Sequence, residues 1–412
     1  MAIAIVFTLC YIYQLFYLFI GLWCKPAPAP VIPAPTRPFG ILIAARNEQA
    51  VIAHLLHTIS KQTYDPTQLQ VFVVADNCTD ETASLCRSLG AVVYERHHLN
   101  QIGKGYALDF LIKGIQRDFG LDAFDGFFIF DADNLLDETY VYEMNQQISQ
   151  GYRILTSYRN TKNYGTNWIS AGYGLWFLRE ARFLNQPRMT LQTGCAISGT
   201  GFFVGSDVLL KHGGWPFHLL TEDIEFSVYH AITGIPIGYC HRAIFYDEQP
   251  ETFSQSWKQR MRWTKGFYQV FGQYGIDLVK TIFVKGSFYA FDLFMTILPG
   301  MILTAFTTSL NLLVLLTGLL LGWDVSAIFT LLVTSLLTLY LLLFTFGLMT
   351  TLTEWHRLHT TPLRKVGYLF TFPLFMLTYL PIAICAMFVS VQWQPIAHTV
   401  SYGLDDLRKH TR

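Results

Sequence analysis

The sequence predicts an α/β fold, a Rossmann-like and mostly parallel sheet in a cytoplasmic domain, flanked at both ends by transmembrane helices. Three observations predict it. Between Phe39 and about Tyr246, short runs rich in Val, Ile and Phe alternate with stretches of helical character, the pattern of parallel strands joined by right-handed crossovers. Uncharged segments long enough to cross a bilayer stand before and after that region. A 52% hydrophobic share against 14% charged residues is too oily for an ordinary soluble chain of 412 residues.

The first segment, Ile3 to Trp23, carries no charge and can span a hydrocarbon core of about 30 Å. It has no basic residues before it and no small-residue cleavage site, so residues 1–24 read as a membrane helix and not as a cleaved signal. A proline-rich linker follows over residues 25–38 and should be extended and semi-rigid. Lys25 and Arg37 on this side place the α/β region in the cytoplasm.

Within residues 39–250 the expected strands are FGILIAA, QVFVVAD, AVVYE and FFIFDAD, with helices near Glu48 to Ser60, Asp80 to Leu89 and Gly105 to Phe119. In open α/β sheets the ligand sits beyond the carboxyl ends of the strands. That rule singles out Arg46-Asn47-Glu48, Asp76-Asn77, the loop before Lys104, and Asp131-Ala132-Asp133. In extended backbone alternate side chains share a face, so Asp131 and Asp133 converge on one point. Two carboxylates so placed suit a hard divalent ion that also takes phosphate oxygens, although an isolated Asp-X-Asp is more often a solvated turn. Lys104, between Gly103 and Gly105 at a helix start, suits a bound anion or a plain flexible turn. The glycines of GTGFFVG at 199, 201 and 205 have the wrong spacing for a dinucleotide fingerprint and lead into a strand.

Leu219 to Phe226 places Glu222, Asp223 and Glu225 at a helix start after Thr221. Thr221 as an N-cap explains these acids structurally, while a carboxylate held in a cleft is what a sugar hydroxyl needs as general base. Residues 251–298 read as amphipathic interfacial helices: Phe253, Trp257, Met261, Thr264, Tyr268 and Phe271 recur at helical spacing, and Lys258, Arg260, Arg262 and Lys265 supply positive charge. Gln259, Arg262 and Trp263 share one face. Lys plus Arg equals Asp plus Glu at 29 each, which speaks against a nucleic-acid partner. The seven cysteines form no CxxC pair and read as free thiols in a reducing compartment. His97-His98 and the other histidines show no metal-ligand spacing.

In this order, Arg46-Asn47-Glu48, Asp76, Asp131-Ala132-Asp133, Gly199-Thr200-Gly201, Thr221-Glu222-Asp223 and Gln259-Arg260-Met261-Arg262-Trp263 resemble the membrane-bound family 2 glycosyltransferases. That group contains the cellulose, chitin, hyaluronan and poly-N-acetylglucosamine synthases. The resemblance covers Phe39 to Gly275 and implies a GT-A-type fold. It also implies roles: Glu48 and Asp76 at the uridine, Asp131 and Asp133 holding Mg²⁺ or Mn²⁺ on the diphosphate, and Lys104 assisting. Asp223, with Glu222 beside it, would be general base, Arg262 would steady the departing diphosphate, and Trp263 and Gln259 would meet the acceptor with Gly199, Thr200 and Gly201. The expected reaction is a single inverting displacement. The donor is a UDP-sugar, UDP-N-acetylglucosamine or UDP-glucose, and the acceptor a growing β-linked polysaccharide at the plasma membrane, with a membrane lipid receiving one sugar as the alternative. A catalytically silent scaffold is disfavoured by the intact acids.

The last third, residues 299–392, is apolar again, with spans expected from about Gly300 to Leu321 and from Val325 to Leu352, joined by a tight turn at Gly322-Trp323-Asp324. A third, from Val366 to Val391, is broken by Pro373 and Pro381, which suits either a crossing or a re-entrant segment that returns the tail, residues 393–412, to the cytoplasm.

Overall fold

A computed structural model describes residues 10–24, 34–297, 299–394 and 403–409. The start of the N-terminal apolar run, most of the proline-rich linker and most of the tail lie outside these residues. Eight strands form one sheet in the order β3-β2-β1-β4-β7-β6-β8-β5. They are β1 (Phe39–Ala45), β2 (Leu69–Asp76), β3 (Val92–Arg96), β4 (Gly126–Asp131), β5 (Leu135–Leu136), β6 (Ile154–Thr161), β7 (Phe202–Gly205) and β8 (Gly238–Asp247). The four strands expected from sequence are β1 to β4, and all their mutual pairings are parallel. Beyond β4 the sheet turns mixed: β7 runs antiparallel to both β4 and β6, β8 returns parallel to β6, and β5 is antiparallel to β8.

Strands β1 and β4 are buried along almost their whole length because helices cover both faces of the sheet, which is why they read as continuous apolar runs. One face packs on Leu108, Leu111 and Ile115 of the Lys104–Asp118 helix, the other on Ile52, Leu55 and Met144. Gly40 and Gly126 sit where a side chain would collide with Phe127 and Phe203, at 2.3 Å in both cases, so these strand glycines make room for aromatic neighbours. The first helix begins at Ile52, later than the expected Glu48, because the Glu48 carbonyl closes a turn with the amides of Val51 and Ile52.

The C-terminal half adds long helices. Phe253–Lys285 is one helix of 33 residues, followed by Phe288–Ile297, Pro299–Leu320 and Val325–Thr353. By length and composition Val325–Thr353 and the nearly continuous Pro362–Phe388 are long and apolar enough to cross a membrane. The charged face expected on Phe253–Lys285 is differently disposed. Arg260 is fully buried and donates to the carbonyl of Phe375 at 3.1 Å and to Thr378 Oγ1, where the Pro362–Leu377 and Tyr379–Phe388 helices meet. Lys265 likewise donates to the carbonyl of Ala386. Phe375 and Ala386 lie in the last turns of their helices, so these cations satisfy carbonyls that helix ends leave open, a need that surface periodicity does not reveal.

The N-terminal helix Tyr13–Trp23 is tied down by a buried polar cluster. Arg188 grips Asp292 with two bonds, Nε to Oδ2 at 2.7 Å and an Nη to Oδ1 at 3.0 Å, and the hydroxyls of Tyr13 and Tyr17 donate to the same carboxylate at 2.7 and 2.8 Å.

Candidate active site

A cavity of about 190 Å³ opens at the carboxyl ends of β1, β2 and β4, as expected for an α/β sheet. Of the residues singled out by sequence, Glu48, Asp76, Lys104, Asp131, Asp133, Gly199, Glu222, Asp223, Gln259, Arg262 and Trp263 all line it. Thr200 and Gly201 stand behind its wall. Thr200 is buried; its hydroxyl accepts the Asp131 amide at 2.8 Å and donates to Asn134 Oδ1, which fixes the end of β4. Gly201 has φ 67° and lies where a Cβ would be 2.1 Å from Phe245, so both its conformation and its packing require glycine.

The loops that follow β1 and β2 are shaped by Asn47 and Asn77, both in the left-handed region at φ 57° and 54°, which asparagine tolerates better than most residues. Asn47 Oδ1 accepts the Thr79 amide, and Asn77 Oδ1 accepts the His98 amide, each at 2.8 Å. Asp76 is buried and paired to Arg96 at 2.6 Å. Lys104 donates to Asp131 and to the Gly199 carbonyl at 2.7 Å, so it binds one side of Asp131 and the glycine turn together. Asp133 Oδ2 accepts the Glu248 amide at 2.8 Å, and its own carbonyl accepts from Lys162. Thr221 precedes the Glu222–Thr233 helix, yet its hydroxyl makes no cap bond. The Asp223 carboxylate instead meets the first-turn Ile224 amide and, beyond the helix, the Gly199 amide.

Five polar or aromatic lining residues went unnoticed in the site reading of the sequence: Arg159, Asp247, Glu248, Trp393 and Gln394. Arg159 Nε donates to Asp247 at 2.7 Å and lies 3.6 Å over the Phe177 ring. The Arg46 guanidinium lies 5.6 Å from the Trp393 ring, so a segment far along the chain closes on the end of β1. Trp263 meets Tyr173 and Phe177 edge to face at 5.7 and 6.2 Å and also lines the cavity.

Eight carboxylates line the cavity, those of Glu48, Asp76, Asp131, Asp133, Glu222, Asp223, Asp247 and Glu248, against four cations, Arg46, Lys104, Arg159 and Arg262. Such a surplus would repel a diphosphate unless a further cation came with it. Among the described residues no three His, Cys, Asp or Glu side chains are grouped to enclose a metal ion. Asp131 and Asp133 can supply two oxygen ligands, which fits a hard divalent ion completing its shell with phosphate oxygens and water.

Burial, and then the neighbouring Asp223 charge, push the Glu222 carboxyl up to about 7. Burial raises Asp223 as well, against the pull of backbone amides and Lys104, and lifts Asp247 to about 6. If Asp223 is the general base expected from the sequence, it must be ionised to act, and activity should fall as it takes up a proton on acidification. Transfer should therefore rise with pH along an acid limb whose midpoint lies above the ordinary carboxylate range. A pH profile of kcat/KM checks this; a limb centred near pH 4 would contradict it.

Comparison with known proteins fits this geometry. Residues 35–266 match the family described as "Glycosyltransferase like family 2". Over 276 residues the chain is 26% identical to the probable glycosyltransferase YdaM of Bacillus subtilis, covering 62% of this chain and 60% of that protein. It is 26% identical over 240 residues to the beta-monoglucosyldiacylglycerol synthase of Synechocystis, covering 57% and 48%. A poly-beta-1,6-N-acetyl-D-glucosamine synthase of Staphylococcus aureus is 23% identical over 234 residues, covering 56% and 54%. The aligned region thus spans about half the length of these curated relatives. Among solved structures, the mannosyltransferase PcManGT of Pyrobaculum calidifontis, in complex with GDP-Man and Mn²⁺, shares the fold with a TM-score of 0.58. The match covers 94% of this chain and 98% of that one at 17% identity.

Proposed function

This chain belongs to the family 2 glycosyltransferases, and from that premise we propose that it moves a sugar from a UDP-sugar to an acceptor at a membrane face by one inverting displacement. The observation that carries the reading is the convergence of the strand-end acids, the Glu222-Asp223 pair, Arg262 and Trp263 on one cavity. Glu48 and Asp76 would receive the nucleoside, and Asp131 with Asp133 would hold Mg²⁺ or Mn²⁺ against the diphosphate. When bound, such an ion neutralises charge developing on the leaving group. Arg262 offers a planar fork to the same oxygens. Asp223 takes the proton from the acceptor hydroxyl as that oxygen attacks the anomeric carbon from the face opposite the nucleotide. Trp263 provides a flat apolar face for the acceptor.

Two acceptors are consistent with this chemistry. A growing β-linked polysaccharide is supported by the motif set and by the poly-N-acetylglucosamine synthase among the relatives. A membrane lipid receiving a single sugar is supported by the glucosyldiacylglycerol synthase. Of these two relatives the glucosyldiacylglycerol synthase is the more similar, at 26% against 23% identity, so we take the lipid as the better supported acceptor. Purified protein in lipid, given radiolabelled UDP-glucose or UDP-N-acetylglucosamine, should put label into an organic-extractable product, and a chelator should abolish it. Label that resists organic extraction and is released by glycan-cleaving enzymes would reverse the choice.

A further inference from the structure

The Pro362–Phe388 segment is about 40 Å long at 1.5 Å per residue, enough to cross a bilayer. Its two ends nonetheless touch the same α/β domain. At the beginning, Arg364 donates to the Gly165 carbonyl at 2.8 Å, Tyr368 donates to the same oxygen at 3.2 Å, and Leu358 just before is fully buried in the domain core. In the middle, Phe375 packs on Tyr173 at 5.0 Å and its carbonyl is held by Arg260. Towards the end, the carbonyls of Ala383 and Ala386 accept from Tyr268 and Lys265, and just beyond it Trp393 meets Arg46. Arg46 follows β1 and Gly165 follows β6, and both strands belong to one sheet. A helix crossing a bilayer would put those two loops on opposite sides of a membrane, which one rigid sheet does not allow.

The face that the segment leaves uncovered is apolar. Leu363, Val366, Phe370 and Leu374 recur every three or four residues and are 46–83% exposed, while Leu369, Phe372 and Phe375 on the other side are buried. The stripe is continuous with the Val325–Thr353 helix: Phe370 packs on Phe344 at 5.1 Å, and the Tyr340 hydroxyl donates to the Phe370 carbonyl. We propose that Pro362–Phe388 does not span the membrane but lies along its catalytic-domain side, with the Leu363–Leu374 stripe in the acyl chains. The catalytic domain is thereby seated flat on the lipid, with the Trp263 side of the cavity beside that helix. This rests on the reading that Pro299–Leu320 and Val325–Thr353 form a transmembrane hairpin. It adds that residues on both sides of the third apolar segment share one compartment. The Leu404–Lys409 helix agrees, since Leu404 and Leu407 are buried in the core of the same domain.

The test uses the full chain with native cysteines replaced and transfer activity retained. Thr361→Cys, Ser390→Cys and Trp323→Cys, all at exposed positions, are labelled with a membrane-impermeant maleimide in right-side-out and inverted vesicles. Positions 361 and 390 should label only in inverted vesicles, and position 323 only in right-side-out ones. Labelling of position 390 from the outside, or only after detergent, would overturn the proposal. If position 323 also labels only in inverted vesicles, the hairpin reading fails and the proposal with it, while transfer activity tests the catalytic reading separately. A fluorophore on Leu374→Cys gives a second measurement. Nitroxide lipids labelled near the headgroup should quench it more than those labelled at the chain end, and the reverse order would indicate a crossing helix.

Discussion

Asp223→Asn should lower kcat by roughly 10²–10⁴-fold, the usual worth of a positioned general base, while leaving the affinity for UDP measured by calorimetry unchanged. The change keeps the shape of the side chain and one acceptor oxygen for the Gly199 and Ile224 amides that its carboxylate now accepts. What it removes is the capacity to take a proton. The residues assigned to the donor, Glu48, Asp76 and Asp131, are left as they were. Near-normal turnover by this variant would remove Asp223 from the role. Glu222→Gln then becomes the decisive comparison, because Glu222 lines the same cavity and burial pushes its carboxyl up to about 7.

Arg188→Met should cost about 3–5 kcal/mol of stability, the usual result of stranding one member of a buried ion pair. Asp292 is fully buried, and its only cationic partner among the described residues is Arg188. Without it the carboxylate keeps only the Tyr13 and Tyr17 hydroxyls, which cannot neutralise a charge. Arg188→Met with Asp292→Leu should recover part of the loss, since an apolar pair replaces a charged one and only the two tyrosine hydroxyls lose their acceptor. Thermal unfolding of the detergent-purified variants distinguishes these outcomes. A single variant as stable as the parent would mean that this cluster does not hold the N-terminal helix in place.

The half of the site that sequence made visible and the half it hid differ for a physical reason. Strands β1 and β4, and β2 from Phe72 on, are buried on both faces, so each reads there as an apolar run and its terminal acid or polar turn stands out. Strand β6 is equally buried but carries Thr156, Ser157, Asn160 and Thr161. Its polar groups are satisfied internally: Ser157 bonds Tyr140 and the Gly201 carbonyl, and Asn160 donates to the Arg357 carbonyl. Hydrogen bonding thus erased the apolar signal, and Arg159 went unnoticed with it. Asp247 was legible by the same rule that marks Asp131, because Ala243 to Tyr246 is an apolar run ending on an acid. Trp393 left no local trace, since its place is set by contact with a residue at the opposite end of the fold. The deep burial of Arg260 was hidden for a related reason. Its partners outside its own helix are the Phe375 carbonyl and the Thr378 hydroxyl, more than a hundred residues away.

Trp393 and Gln394 also set the order in which this enzyme is completed. A chain leaves the ribosome from its N-terminus, and its domains fold as they emerge, so the sheet with Glu48, Asp76, Asp131 and Asp133 can be in place early. The cavity still lacks its last wall at that stage, because residues 393 and 394 come after the apolar helices Pro299–Leu320, Val325–Thr353 and Pro362–Phe388. A nascent chain whose C-terminal helices are not yet placed cannot close the segment over Arg46. Closing the cavity is therefore tied to the placing of the apolar helices that precede Trp393.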